Sequence, residues 1–332
     1  MKLFIQIPCL NEEATLPSVI TGIPRPIEGI DEIYTLVIDD GSTDRTVEVA
    51  KSMGVDYIVK NNVKQGLSKT FCNGLEVALA LGADIIVNLD GDNQYKGSDI
   101  PKLIRPICNK RADIVLGCRD NDANKENSLL KKMLHKVGSR IASRFSDLNI
   151  PDATTGFRAI SRHAARRIVV RCDFSYTLEM LCQSRRIGLK VAWEPIGVNA
   201  KTRESHLFTS YFEYVLEQVK ILAAVFLEYY PLAFFIWLAI ALFSVSVLAV
   251  ASKSLLLANS VHSVLLDKIF YIGLFMAAVS LFCGLIGSIL ASLHILLIEI
   301  RSRVRSLELD RDILQRFDIE KSHTRESSGI KK

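Results

Sequence analysis

No C-x-x-C pair occurs among the seven cysteines (Cys9, Cys72, Cys108, Cys118, Cys172, Cys182 and Cys283), and their spacing is not that of a secreted disulfide framework. Reduced cytosolic thiols are the expectation. No G-x-G-x-x-G follows the first expected strand, where Ile7-Pro8-Cys9-Leu10-Asn11 stands instead, which argues against a dinucleotide dehydrogenase. A Walker loop, an internal repeat and a low-complexity run are missing as well. No signal peptide is expected: the apolar run at residues 3 to 7 is too short and meets Pro8 and Asn11-Glu12-Glu13 at once. The net charge of +5 is too small and too scattered to call for nucleic acid, and it fits a protein beside anionic membrane lipid.

Long hydrophobic runs, by contrast, are present. Hydrophobic residues make up 49% of the 332, mean hydropathy is +0.23, and the excess begins after about Lys220. No charged residue occurs from Pro231 to Ala251, and only the titratable His294 interrupts the run from Ile269 to Ile298. Each run suffices to cross roughly 30 Å of hydrocarbon, which takes about 20 residues. Neither has the polar face that a soluble hairpin would need. Transmembrane helices are therefore expected at 231–251 and 269–298, joined by a non-cytosolic loop at 252–268, with a pair of buried core helices as the alternative. Gly284 and Gly287 would allow close helix approach without the G-x-x-x-G spacing. Arg301, Arg303 and Arg305 follow the second run, whereas the loop carries only Lys253, Asp267 and Lys268. The positive-inside rule then makes this an integral membrane protein with both termini and its soluble domain, 1–206, in the cytosol. Residues 207–230 mix aromatics, aliphatics and a few charges and read as an interfacial amphipathic helix or as a plain domain-closing one. The cytosolic tail, 299–332, is charged, with helix expected to Ile319 and disorder beyond. Paired spans also make a homo-oligomer reasonable.

Within the soluble part, strands are expected around Lys2–Ile7, Ile33–Ile38, Val55–Val59, Asp84–Leu89 and Asp113–Gly117, with Trp193 and Pro195 in a final strand. Helices are expected from Asp44, as a cap, through Met53, from Ser68 to Leu81 and from about Ser98. The alternation predicts an α/β fold with a doubly wound, mostly parallel sheet, whose ligands sit at the carboxyl ends of strands.

Two acidic motifs fall at such ends. Asp90-Gly91-Asp92 puts two carboxylates into one pocket, and Gly91 lets the turn come close. Such oxygen ligands suit Mg²⁺ or Mn²⁺ bridging a diphosphate, although a lone D-x-D is often only a solvated turn. Asp39-Asp40-Gly41-Ser42 has carboxylates that can accept from a base or a ribose, or it is a turn with a helix cap. Asn11-Glu12-Glu13 has the same two readings. Lys64 and Lys69 flank Gly66 and are candidates for a diphosphate. His163 and His262 lack ligand-like partners and read as structural.

Taken in order, Ile7-Pro8-x-x-Asn11-Glu12-Glu13, Asp39-Asp40-Gly41-Ser42-Thr43-Asp44 and Asp90-Gly91-Asp92 resemble the family-2 inverting glycosyltransferases over roughly residues 3 to 207. The resemblance implies the GT-A fold. It assigns Pro8, Asn11, Glu13 and Asp39 to the base and ribose of a nucleotide-sugar, and Asp90 and Asp92 to the metal and diphosphate with Gln94 nearby. Thr154-Thr155-Gly156-Phe157-Arg158 is similar to the T-S/T-G-F-R signature of the polyprenyl-phosphate branch, which includes dolichyl-phosphate mannose synthase. Arg203-Glu204-Ser205-His206-Leu207 resembles that branch's R-x-S-K/R-L element, with His206 in place of the usual base. Arg119 matches the arginine of its G-S-R, with Cys118 in place of serine. Glu179 lies in the segment that commonly offers a carboxylate to the sugar.

The activity so implied is inverting transfer of a sugar to undecaprenyl or dolichyl phosphate. Asp90, Asp92, Arg119, Arg158 and Arg203 are the expected catalytic residues. Arg119, Arg203 and Ser205, with Lys132 and Arg140 from the basic stretch Lys131 to Arg140, would hold the lipid phosphate. Two rivals remain. A processive polysaccharide synthase would use Gln183-Ser184-Arg185-Arg186, but Ile187 stands where Q-x-x-R-W has tryptophan. An inactive membrane adaptor would have no need of the acidic and basic groups.

Overall fold

Strand β1 (Lys2–Cys9) is buried along nearly its whole length, as a strand covered on both faces must be. Around it the computed structural model describes residues 1–119, 150–170, 176–199, 231–258, 264–308 and 319–321. The chain divides into two compact units, Met1–Ser210 with Ile300–Lys332, and Tyr211–Glu299.

The first unit holds an eight-stranded sheet. β1 pairs in parallel with β2 (Glu32–Asp39) on one side and β4 (Ile85–Asn88) on the other, and β3 (Tyr57–Lys60) extends the parallel set beyond β2. β5 (Ile114–Arg119) and β7 (Val191–Ile196) pair in parallel. Between β4 and β5 lies β6 (Arg158–Ser161), antiparallel to both. The short β8 (Ile319–Lys321) pairs antiparallel with the outer edge of β3. The order is therefore β7-β5-β6-β4-β1-β2-β3-β8.

Side-chain alternation sorts the two layers. Leu3, Ile5, Ile7 and Cys9 join one core with α1 (Leu16–Thr21), α2 (Thr46–Ser52) and α4 (Ile100–Cys108). Gln6 and Ile38 point the other way, toward α3 (Leu67–Ala80), where a Cβ on Gly74 would meet both side chains. Two further helices, α5 (Arg162–Arg167) and α6 (Tyr176–Arg186), are described in the unit. The five expected strands are all present, and so is the final one. β6 and β8 go beyond the expectation, and Ile319 belongs to β8 rather than to a helix.

The second unit contains most of two long apolar helices, α7 (Pro231–Ala258) and α8 (Val264–Glu308), both longer than the charge-free runs. Their apolar windows have a mean hydropathy of 2.3 and are only 11% buried, unlike the core helices of a soluble protein. They are candidate membrane helices. Ser280 Oγ donates to the Ala239 carbonyl at 2.8 Å. Gly287 is the glycine that matters for their approach, since a Cβ there would lie 2.6 Å from Phe235 Cβ, whereas Gly284 faces open space. The interfacial segment 207–230 lies outside the described residues.

Candidate functional site

Parallel strands β1, β2 and β4 all end at one rim of the sheet, and the loops that follow them are tied together. After β1, Asn11 takes φ 57°. Its N–H donates to Ser42 Oγ at 2.9 Å, and its Oδ1 accepts from Thr43 N at 2.8 Å. Glu13 Oε2 accepts from Arg45 N at 3.1 Å, while Asp44 Oδ1 accepts from Thr46 N, the first residue of α2, at 3.0 Å. Pro8, the last but one residue of β1, is buried beside Ile38. Asp39 is buried at the end of β2, where both its oxygens accept from Ser42 N at 3.3 Å.

Asp40 serves the fold. Its oxygens accept from Asn61 Nδ2 at 2.9 Å, Gln65 N at 2.8 Å and Gly66 N at 2.9 Å, which pins the loop leading into α3. Lys69 is exposed on the first turn of that helix.

The turn after β4 carries the paired carboxylates. Asp90 Oδ1 accepts from Asn88 Nδ2 at 3.2 Å, and Asp92 Oδ1 from Gln94 N at 3.0 Å. Burial first, and the neighbouring Asp92 charge second, push the Asp90 carboxyl up to about 7. A carboxyl so placed holds its proton up to near-neutral pH, and a bound cation would favour its release. Gly156, in the loop before β6, has its Cα against this carboxylate: a Cβ there would stand 2.6 Å from Asp90 Oδ2. The absence of a side chain lets this loop pack closely on Asp90.

Arg119, at the end of β5, reaches the same rim. Its Nε donates to Asp152 Oδ2 at 2.7 Å and its Nη1 to Gln94 Oε1 at 3.2 Å, and the guanidinium lies 5.7 Å over the Tyr95 ring. Tyr95 in turn accepts from Gly156 N at 3.2 Å. Asp90, Asp92, Gln94, Arg119 and Gly156 therefore form one constellation, joined by residues the sequence did not single out: Asn88, Tyr95, Asp152 and Tyr176. Asn88 is the hub, since its Nδ2 also donates to the Gly156 carbonyl at 2.9 Å and to Tyr176 Oη at 3.3 Å. A polar residue inside an apolar strand was the available signal.

Arg158, expected among the catalytic residues, is held by the protein itself. It is completely buried in β6 and donates to the carbonyls of Thr155 at 2.8 Å, Thr177 at 2.9 Å and Ala153 at 2.8 Å. It shapes the loop that carries Gly156 and binds that loop to α6. Glu179, on α6, is also fully buried and accepts from Gln183 Nε2 at 3.2 Å. Lys132, Arg140, Arg203 and Ser205 lie outside the described residues. Burial pushes the thiols of Cys9, Cys72 and Cys118 up, the last two to about 12 and about 11. None of these is a ready nucleophile.

Comparison with known proteins identifies the family and the fold. The model of "Glycosyl transferase family 2" matches residues 4–169. The undecaprenyl-phosphate mannosyltransferase of Micrococcus luteus is 26% identical over 206 residues, 59% of this chain and 83% of that protein. The UDP-N-acetylglucosamine–dolichyl-phosphate N-acetylglucosaminyltransferase of Methanococcus voltae is 29% identical over 182 residues, 49% of this chain and 71% of that protein. The dolichol-phosphate mannosyltransferase of Pyrococcus furiosus is 27% identical over 223 residues, 65% and 62% of the two chains. In fold, the chain resembles glucosyl-3-phosphoglycerate synthase from Mycobacterium tuberculosis, crystallised with Mn²⁺, UDP and glucosyl-3-phosphoglycerate. The TM-score is 0.53 at 21% identity, over 68% of this chain and 78% of that one.

Proposed function

The chain belongs to glycosyl transferase family 2, and we propose that it transfers a sugar from a nucleotide-sugar to a polyprenyl phosphate at a membrane. The observation that carries this reading is Arg119 held in the same constellation as Asp90 and Asp92, a guanidinium suited to phosphate beside a pair of carboxylates suited to a divalent ion. The printed activities of the Micrococcus, Methanococcus and Pyrococcus relatives support it, as do the two candidate membrane helices.

In this reading Asp90 and Asp92 hold Mg²⁺ or Mn²⁺. The residues fit such an ion. Two carboxylates share one turn, and among the described residues no third His, Cys, Asp or Glu completes a cage. An ion held by Asp90 and Asp92 would supply positive charge against the leaving diphosphate. Pro8, Asn11, Glu13 and Asp39 line the nucleotide end. Asp40 acts by pinning the 61–66 loop, and Lys69 lies toward the diphosphate. Glu179 supports the sugar side.

Arg119, with Lys132, Arg140, Arg203 and Ser205, grips the acceptor phosphate. One of that phosphate's oxygens attacks the anomeric carbon, the bond from this carbon to the diphosphate breaks, and the nucleoside diphosphate departs with inversion. A phosphate dianion is already a nucleophile, so positioning and charge neutralisation supply most of the acceleration. The domain at 1–206 and both termini are cytosolic, on the strength of Arg301, Arg303 and Arg305 after the second helix.

The test is a transfer assay on the detergent-solubilised chain with undecaprenyl or dolichyl phosphate, Mg²⁺ or Mn²⁺, and a panel of radiolabelled UDP- and GDP-sugars. Label entering the organic phase as one mild-acid-labile product, and lost with EDTA, is the expected result. Label confined to a polymer would favour a processive synthase. Gln183 speaks against that rival, because its amide is engaged with both the N–H and the carbonyl of Val169.

A further inference from the structure

We propose that Asp152 is the positioning residue that aims Arg119 at the acceptor phosphate, and that Gln94 yokes this arginine to the Asp90–Asp92 turn. The inference rests on the reading above and deepens it. An arginine offers five N–H donors in a rigid fork, and a flexible one loses much rotamer freedom when it closes on a phosphate. Here that freedom is already removed. Asp152, whose side chain is 0% exposed, takes the Nε proton of Arg119 at 2.7 Å, and the arginine side chain is itself only 17% exposed.

Asp152 is in turn fixed by its own loop, since its Oδ1 accepts from Thr154 N at 3.3 Å and from Thr154 Oγ1 at 3.0 Å. On the other edge, Gln94 Oε1 takes an Nη1 proton at 3.2 Å while the Gln94 N–H donates to Asp92 Oδ1 at 3.0 Å. The Tyr95 ring closes one face of the guanidinium. Nε and part of Nη1 are thus spent on the protein. Among the described residues Nη2 remains for a phosphate oxygen. The donor turn and the acceptor arginine are parts of one hydrogen-bonded chain, so ordering either half pre-sets the other.

The full chain in detergent would be titrated with farnesyl phosphate by calorimetry, and separately with UDP and GDP in Mn²⁺. Asp152→Asn keeps the size and an acceptor oxygen but removes the charge. It should raise both the farnesyl phosphate Kd and the acceptor KM by about tenfold or more, with kcat within about twofold and the affinity for the better-bound nucleotide unchanged. In a double-mutant cycle with Arg119→Lys the two effects should not add, because both act through one guanidinium. Unchanged farnesyl phosphate binding in Asp152→Asn, or an effect fully additive with Arg119→Lys, overturns the proposal alone. A wild-type chain that binds no farnesyl phosphate overturns the acceptor assignment and takes the proposal with it. If Asp152→Asn does not fold, Gln94→Ala decides the matter: it loosens the other edge and should weaken farnesyl phosphate more than nucleotide, and the reverse order refutes the yoke.

Discussion

Replacing Asp90 with asparagine should make the metal-free protein more stable at alkaline pH. In the folded chain the Asp90 carboxyl stands at about 7 against an ordinary 3.8, because burial and the Asp92 charge disfavour its anion. The folded state therefore binds this proton more tightly than the unfolded one. Its contribution to stability is complete below the unfolded value and is lost as pH rises through the folded value. At about 1.4 kcal/mol per tenfold change in proton affinity, the full span is of order 4 kcal/mol. For a unit of this size that corresponds to a melting shift of roughly 10 °C.

Asp90→Asn keeps the shape of the side chain and cannot ionise. The melting temperature of wild type minus that of the variant, measured without metal in detergent, should fall from pH 5 to about pH 7 and level off above it. Mn²⁺ should reverse the trend, raising wild-type stability more at pH 8 than at pH 6, since the cation competes with the proton, and it should do little for Asp90→Asn. A melting difference that stays flat with pH, or equal Mn²⁺ stabilisation of both proteins, would refute the reasoning.

Asp92→Ala should abolish sugar transfer while leaving the far-ultraviolet dichroism and the melting point close to wild type. Near-normal turnover would remove the metal assignment. Gly156→Ala puts a Cβ 2.6 Å from Asp90 Oδ2 and should cost about 100-fold in kcat/KM by displacing that carboxylate, with a folded protein by dichroism. Arg158→Met strands three buried carbonyls and should cost roughly 3–5 kcal/mol in thermal or chemical unfolding; a stable variant that lost only turnover would restore the catalytic role. Gly287→Leu forces a side chain onto Phe235 and should lower the heat resistance of the helical hairpin in detergent by about 1–3 kcal/mol.

Much of the fold was legible because its central strands are largely buried and three of them run into acidic turns. β1, β2 and β4 read directly as apolar runs followed by Asn11, Asp39 and Asp90. β6 was not legible. It has only four residues, it begins with a buried arginine, and its identity as a strand depends on partners distant in sequence. β8 is shorter still and lies among charged residues.

The carboxylates of the site announced themselves as a motif. Their supports did not, because Asp152, Asn88 and Tyr95 acquire meaning only when the loop before β6 folds over the turn after β4. Arg158 is a different case. A cation inside a phosphate-enzyme signature invites a contact with substrate, whereas in the fold it donates to three carbonyls within 3 Å.

The antiparallel strand in the middle of the sheet also dictates the order in which the protein can be made. β4 lacks its neighbour on one side until Arg158–Ser161 has left the ribosome, and β5 waits for the same strand. Until then the growing chain displays the open edge of its most apolar strands, a template for unwanted pairing. β7 is complete at Ile196, and the first apolar helix begins at Pro231. At about 5–20 residues per second, that interval gives roughly two to seven seconds in which the central sheet can close before membrane-seeking segments emerge. Shortening that interval would set two hydrophobic fates, sheet closure and insertion, in competition on the same nascent chain.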